Sequence, residues 1–436
     1  MVKAFFFLLV GTLCVMFLAA PALTQEFSSV QRGWAQDMLK TASSDMKKNY
    51  YDPKFHGLDW DARVAQTQQQ IAGAPSMAMA ITYIAALFDS LNDSHSYFYP
   101  PARAHSYDYG FTYQIIGPER CYITHVRPGS DAEAKGIKPG YEILTIAGHL
   151  PERKDTWKLD YLFNVLNPQP SLKLLVQTPP NGESHEVVIQ TTMHPLKRPT
   201  DVSKSYMREW DNERRSLHAR MVTVGSDLAI VKFPNFYFSN SEIAGMMSKA
   251  QQYHNLIMDL RGNSGGSADS LQWFVSALFD KQVKIADKVT RKETKEEIAK
   301  PSRHPFTGKL IVLVDSRSAS AAELLAKVVQ LEKRGTIIGD LTSASVMESR
   351  GFSNMVGSEL ALFYGERITV ADLIMTDGKS IEHIGVTPDI VALPTPADLV
   401  SGNDPVLSRA AETLGVKLTP EVAGKLFPYE WPPDEE

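Results

Sequence analysis

Ser320 sits at the joint between an apolar run, Leu310 to Val314, and the residues Leu324, Leu325, Val328 and Val329, which recur at helical spacing. A strand that turns sharply into a helix gathers backbone N–H groups at the turn, and a serine held there can attack a carbonyl once a base takes its proton. The same residues, Ser320-Ala-Ala-Glu323, also match a capping box, which by itself marks a helix start and no more. A second feature adds chemistry. The buried-strand pattern Asn255 to Leu260 empties into Arg261-Gly-Asn-Ser-Gly-Gly266, which lacks the glycine spacing and the Gly-Lys-Ser/Thr ending of phosphate loops. Gly265 and Gly266 instead let the backbone approach a reacting carbonyl and aim an N–H at it. His95, in Leu91-Asn-Asp-Ser-His95-Ser-Tyr-Phe-Tyr-Pro100, lies just past a helix end and is a candidate general base; the competing role for any lone histidine is structural. No His-Glu-x-x-His or Cys-x-x-Cys spacing occurs, which argues against a metallopeptidase and predicts neither metal nor cofactor.

These residues need a scaffold drawn from most of the chain. The chain has 436 residues, 43% of them hydrophobic, enough for two or three cores. A formal net charge of -5, with Lys and Arg scattered, argues against a nucleic-acid partner. Residues 1–24 have the layout of a signal peptide: Lys3, an apolar run, then Ala22-Leu23-Thr24 before Gln25. The body is therefore expected to be periplasmic or secreted, in a bacterial cell envelope, with no stable membrane span once the signal is cut. An uncut signal would be an anchor, since the run approaches the ~20 residues that cross a bilayer. Cys14 falls inside the signal, leaving Cys121 as a small core residue with no disulfide partner.

Residues 25–106 read as helical, with Trp34, Met38 and Leu39 on one face and a second apolar run from Met77 to Leu91. Residues 107–198 alternate in short runs punctuated by Gly and Pro, which predicts an all-β module with a short helix. Its stretch from Val126 to Gly140, followed by Glu142-Ile-Leu-Thr-Ile-Ala-Gly148, resembles a PDZ domain, a fold that takes an extended peptide onto a sheet edge. By that resemblance Gly110 and Phe111 belong to the loop that holds a peptide carboxylate. A small β-barrel without a groove is the alternative. Residues 199–398 return to alternating strands and helices, an α/β layer structure, and residues 399–436 hold an amphipathic helix and the acidic end Pro432-Pro-Asp-Glu-Glu436.

Asp259-Leu-Arg-Gly-Asn-Ser-Gly-Gly266, Ser318-Ala-Ser-Ala-Ala-Glu323, Ile338-Gly-Asp340 and Ile381-Glu-His-Ile-Gly-Val-Thr-Pro-Asp389 follow one another as in the tail-specific, or carboxyl-terminal processing, serine peptidases, which the chain resembles over nearly its whole mature length. The resemblance implies a ClpP/crotonase-like α/β catalytic core with an inserted PDZ-like domain and an N-terminal helical region. It assigns the nucleophile to Ser320 and the oxyanion donors to the N–H groups of Ala321 and Gly266. In the branch that uses a Ser-Lys dyad, the lysine position falls on Ser345, which cannot act as a base. The chain is more similar to the branch containing the tricorn core and the chlamydial protease-like factor, where a Ser-His-Glu triad falls on Ser320, His95 and Glu382.

Rivals exist for each role: Ser318 as nucleophile, His383 as base, Glu348 or Asp340 as the acidic partner. The expected function is an endopeptidase that captures peptide segments or C-termini on the PDZ-like module and cleaves them by acyl transfer. Its partner is a peptide or protein substrate, and a homo-oligomer is compatible with the sequence. The other class is a catalytically silent ligand-binding protein on the same fold.

Overall fold

The structure, a computed structural model, describes residues 27–180, 182–195, 218–357 and 361–431. The predicted signal, residues 1–24, and the acidic end, residues 432–436, lie outside the described residues. Three helices come first, α1 (Ser29–Asn49), α2 (Trp60–Gly73) and α3 (Met77–Asp89). Each starts on a side chain that accepts from a first-turn N–H: Ser28 from Gln31, Asp59 from Ala62, Ser76 from Met79. Their apolar faces, among them Met38, Met46, Ile71, Ile84 and Phe88, are fully buried.

After β1 (Tyr97–Tyr99) and β2 (His105–Asp108) come β3 (Phe111–Ile116), β4 (Arg120–Val126), α4 (Asp131–Ala134), β5 (Glu142–Ile146), α5 (Thr156–Tyr161), β6 (Ser171–Gln177), β7 (Ser184–Gln190) and β8 (Thr192–Pro195). Strands β3 to β7 form an antiparallel sheet in sequence order, with β3 at its edge, while β2 and β8 pair separately. The module carries two helices rather than the one expected, and α5 runs on into a π-helical turn, Leu162–Leu166. Here Leu159, Leu162, Phe163 and Leu166 are all buried, so packing against the sheet makes helical a stretch with no strong periodic signal.

The remaining elements are β9 (Arg220–Val224), β10 (Leu228–Lys232), α6 (Asn240–Ala250), β11 (Asn255–Asp259), α7 (Ala268–Leu278), β12 (Val283–Thr290), β13 (Thr294–Ala299), β14 (Lys309–Val314), α8 (Ala321–Leu331), β15 (Thr336–Gly339), β16 (Glu348–Val356), β17 (Leu362–Ile374), β18 (Ile390–Val391), α9 (Pro396–Ser401), α10 (Pro405–Thr413) and α11 (Pro420–Ala423). A six-stranded sheet runs β18-β15-β14-β11-β10-β9, parallel except for β9. Alternate residues of each strand enter different cores. Val231, Met258 and Val312 pack with α6, α7 and α8, whereas Ile230, Ile257 and Ile311 pack with Leu407 and Ala411 of α10. A sheet covered on both faces explains why these strands read as unbroken apolar runs.

The region 199–398 is not wholly layered in this way. β12, β13, β16 and β17 form a second, antiparallel sheet, and β17 recruits β1 from the N-terminal region, pairing Tyr97 with Arg367 and Tyr99 with Gly365. β17 is 13 residues long, so one edge accommodates both β1 and β12 while the other takes β16. That pairing fixes the address of the loop preceding β1.

Candidate active site

The nucleophile side is built from two parallel-strand ends. β14 leads through Asp315–Ala319 into Ser320, whose φ of 55° and ψ of -118° lie where a residue with a side chain costs of order 1–3 kcal/mol. The turn is held from several sides. Ser320 N–H donates to Ser345 O (2.9 Å) and to Glu323 Oε2 (3.1 Å), and Ala319 N–H donates to Asn263 O (2.9 Å). Glu323 is fully buried and also accepts from the N–H groups of Ala344 (2.9 Å) and Ser345 (3.0 Å) and from the Thr342 hydroxyl (2.5 Å). Burial pushes its carboxyl up to about 7, against the pull of these donors. Glu323 thus caps α8, as its place in the capping box suggested, and also ties the 342–345 segment to the elbow. The Ser320 hydroxyl faces the histidine.

β11 delivers the glycine loop to the same place. Asn263, fully buried, accepts from Gly265 N–H through its side chain (2.8 Å) and donates to Phe233 O (2.8 Å). Gly265 has φ of +87°, and a Cβ there would lie 2.7 Å from Ser320 Cβ and 2.9 Å from Ala321 N. Any side chain at 265 would crowd the elbow and cover the Ala321 N–H. Gly266, at φ of +151°, has no room for a Cβ either, which would meet Phe236 O at 2.6 Å. Ala321 is the first residue of α8, so its N–H has no intrahelical acceptor and lies at the positive end of the helix.

The base side arrives from far along the chain. His95 Nε2 is 3.3 Å from Ser320 Oγ. Asp93, buried, holds the loop by accepting from His95 N–H (2.8 Å) and from the Thr369 hydroxyl of β17 (2.7 Å). Glu382 reaches the imidazole through an intermediary. The Ser94 hydroxyl stands between them, 2.8 Å from His95 Nδ1 and 2.9 Å from Glu382 Oε2. Glu382 also accepts from the N–H groups of Ser94 (3.0 Å) and Val346 (2.6 Å). A hydroxyl has one proton, so if Ser94 donates to the carboxylate it must accept from Nδ1–H. That tautomer leaves the Nε2 lone pair facing Ser320. Burial, with the Arg367 charge behind it, lowers the His95 pKa well below the usual imidazole value. Burial raises that of Glu382, opposed first by the Val346 N–H.

The rival residues lie in other roles. Ser318 is fully buried, its hydroxyl donating to Leu260 O (2.8 Å). His383 bonds Asn92 O through Nε2 (2.9 Å) and clips the loop that carries His95. Glu348 pairs with Lys288 (2.6 Å). Asp340 joins Arg153 (2.9 Å) and Gly117 N–H (2.9 Å) and so clamps the β3–β7 module to the core. Ser345 adjoins the nucleophile through its backbone carbonyl. Gly110 packs against Ser130, but its N–H is already taken by Asp108 Oδ1 (2.8 Å); Phe111 is buried at the start of β3. Of the expected carboxylate loop, that one N–H is therefore committed to the chain's own aspartate.

Ser94 was not singled out from the sequence, although it directly precedes His95; adjacency alone does not show which way a hydroxyl turns.

Residues 227–392 match peptidase family S41, and residues 34–73 match the tricorn protease C1 domain. The first of these matches is to a family of serine peptidases and takes in the β11 loop, Ser320 and Glu382. The tail-specific protease of Haemophilus influenzae is 23% identical over 317 residues, 68% of this chain and 43% of that protein. The chloroplastic carboxyl-terminal-processing peptidase 3 of Arabidopsis thaliana is 24% identical over 379 residues, 84% of this chain and 69% of the relative. The chain thus spans less than half the length of the first of these. Among solved structures, mature CPAF superposes with a TM-score of 0.64 at 16% identity, covering 85% of this chain and 95% of that one. The S41 match begins at Asp227, so His95 and Ser94 lie outside it, whereas Ser320, Glu382 and the glycine loop lie within. Among the described residues no helix is long and apolar enough to cross a membrane.

Proposed function

We propose that this chain is an exported serine endopeptidase that holds a peptide on the PDZ-like module, residues 107–198, and cleaves it by acyl transfer from Ser320. The observation that carries the reading is the linked set Glu382, Ser94, His95 and Ser320, with successive contacts of 2.9, 2.8 and 3.3 Å.

In the first step Ser320 Oγ attacks the scissile carbonyl as its proton passes to His95 Nε2, a general-base role worth ~10²–10⁴-fold. The imidazolium so formed keeps its Nδ1–H on Ser94, whose own proton lies on Glu382, and the carboxylate stabilises the charge through that bridge. The oxyanion falls between the N–H groups of Gly266 and Ala321, each such donor supplying about 3 kcal/mol in comparable sites. His95 then returns the proton to the leaving amine, and water repeats the sequence on the acyl enzyme. A lowered imidazole pKa keeps Nε2 unprotonated and available over the physiological range.

The cavity of about 650 Å³ lined by Phe111, Tyr113, Leu159, Phe163, Arg261 and Tyr429 lies on the module side and would hold the captured segment; Ser320 and His95 do not line it, so the scissile bond would lie beyond its end. β3 is the open edge of its sheet, where an extended peptide could add as a further strand. The similarity to tail-specific and carboxyl-terminal-processing peptidases supports a C-terminal peptide as the segment captured, and the signal-like residues 1–24 support export.

A fluorophosphonate probe tests the reading. The wild-type chain should be labelled, and Ser320→Ala should lose both labelling and peptide hydrolysis. A folded chain that resists the probe would make it a silent binding protein.

A further inference from the structure

The open edge of β3 is already in use. In its pairing with β4, the residues opposite Ile123 and Cys121 are Tyr113 and Ile115, and both turn their carbonyls away from β4, toward the edge. Tyr113 O accepts from Arg317 Nε (3.0 Å) and from a terminal nitrogen of the same guanidinium (2.6 Å). Ile115 O accepts from the Ser316 hydroxyl (2.5 Å). The other terminal nitrogen of Arg317 reaches Asp160 Oδ2 on α5 (3.0 Å), and the Tyr113 phenol bonds Asp160 Oδ1 (2.7 Å). One guanidinium therefore fills the slot between β3 and α5, and it comes from the loop three residues before Ser320. That slot is the place a strand added to β3 would occupy.

We infer that Arg317 is a positioning residue that stands in for the added strand: with the groove empty it docks the nucleophile loop on β3 and α5, and a peptide extending past Thr112 must displace it. This rests on the reading of β3 as a peptide-binding edge and adds what that occupancy does to the loop carrying Ser320. Ser316 and Arg317 lie between β14, which is anchored in the sheet, and the elbow, which is tied by Glu323 and Ser345. Release of their two acceptors thus acts on the span that leads directly into Ser320, where Ser318 and Ala319 are bonded in turn to Leu260 O and Asn263 O. Because binding and docking compete for one carbonyl, they are linked: what weakens docking strengthens binding.

The test uses the full chain, a fluorescent eight-residue peptide of alternating Thr and Val ending in a free valine carboxylate, and fluorophosphonate labelling of Ser320. In Arg317→Ala the peptide should bind about tenfold more tightly than in wild type, the scale of one charge-assisted hydrogen bond. Saturating peptide should change the wild-type labelling rate at least threefold and leave that of Arg317→Ala unchanged. Asp160→Asn, which weakens the same anchor from the module side, should tighten binding in the same direction and guards against a fold defect in the arginine variant. Equal affinities, with labelling equally sensitive to peptide in both chains, would overturn the role of Arg317 and leave the groove standing. No binding to any of the three chains would overturn the groove itself.

Discussion

The two halves of the candidate site are made in different ways. The nucleophile half, Ser320 with Gly265, Gly266 and Ala321, grows from neighbouring parallel strands, β11 and β14, whose ends are fixed by a sheet buried on both faces. The base half is assembled across the chain: His95 precedes a three-residue strand on β17, Glu382 follows the end of β17, and Ser94 joins them at a sequence separation of 288 from Glu382. The first half is preorganised by local geometry, including a strained elbow. The second depends on the antiparallel sheet pairing correctly, so it is the half whose disturbance should be separable from loss of the core fold.

The largest effects should come from breaking either half outright. Replacing a triad nucleophile in a comparable enzyme lowers turnover by ~10⁶-fold, and Ser320→Ala should behave likewise in a peptide hydrolysis assay. His95→Ala should be nearly as severe while keeping the thermal melting of the wild type, because the ring is only half-buried and the loop is held by the Asp93 contacts to backbone and Thr369. Activity that survived in His95→Ala would move the base elsewhere. Next in size is the glycine loop. Gly265→Ala places a methyl 2.9 Å from Ala321 N, and the lost donor should lower kcat by ~10²–10³ with a smaller change in KM.

The relay sharpens the contrast between halves. If the Ser94 hydroxyl carries the effect of Glu382 to the ring, Ser94→Ala and Glu382→Gln should each lower kcat by roughly 10²-fold, and the double variant should be little worse than either single one. Additive losses would show that the two act independently and would undo the bridge. The same ring sets a pH signature. A histidine whose folded pKa is depressed binds fewer protons than in the unfolded chain, so stability is full above the ordinary imidazole value near 6.5 and declines as pH falls below it. For kcat/KM the acid limb of the pH profile should correspondingly lie below pH 6.5, and a limb at or above it would contradict a base held neutral in the folded chain.

Much of the first half was legible in the sequence because its causes are local. The apolar runs Leu310–Val314 and Asn255–Leu260 became β14 and β11 almost to the residue, and Glu323 proved to cap the helix after Ser320. The second half was reached through motif resemblance, since no periodicity predicts that β1 should cross to β17. What stayed hidden were side chains whose roles depend on orientation: Ser94 between His95 and Glu382, Asp340 as a clamp to the β-module, and Arg317 in the slot beside β3. Each is an ordinary polar residue in sequence. Its meaning appears only when an acceptor from another part of the chain is placed opposite it.

The smallest effect expected is also the sharpest test of which branch of chemistry the site uses. Ser345 stands where a dyad lysine would fall, and it does adjoin the nucleophile. Its contacts to the elbow, however, run through the backbone: its carbonyl accepts from Ser320 N–H and its own N–H donates to Glu323. Removing the hydroxyl leaves both bonds in place, so Ser345→Ala should keep kcat/KM within about twofold of wild type, a change of roughly 0.4 kcal/mol or less in barrier. Ser345→Lys should gain nothing either. The position is buried beside a carboxyl, Glu323, whose own pKa is already raised, and a lysine there would need its charge removed before it could act as a base. A large loss in Ser345→Ala would mean that the hydroxyl at 345 takes part in proton transfer, and the division of labour between the two halves would have to be redrawn.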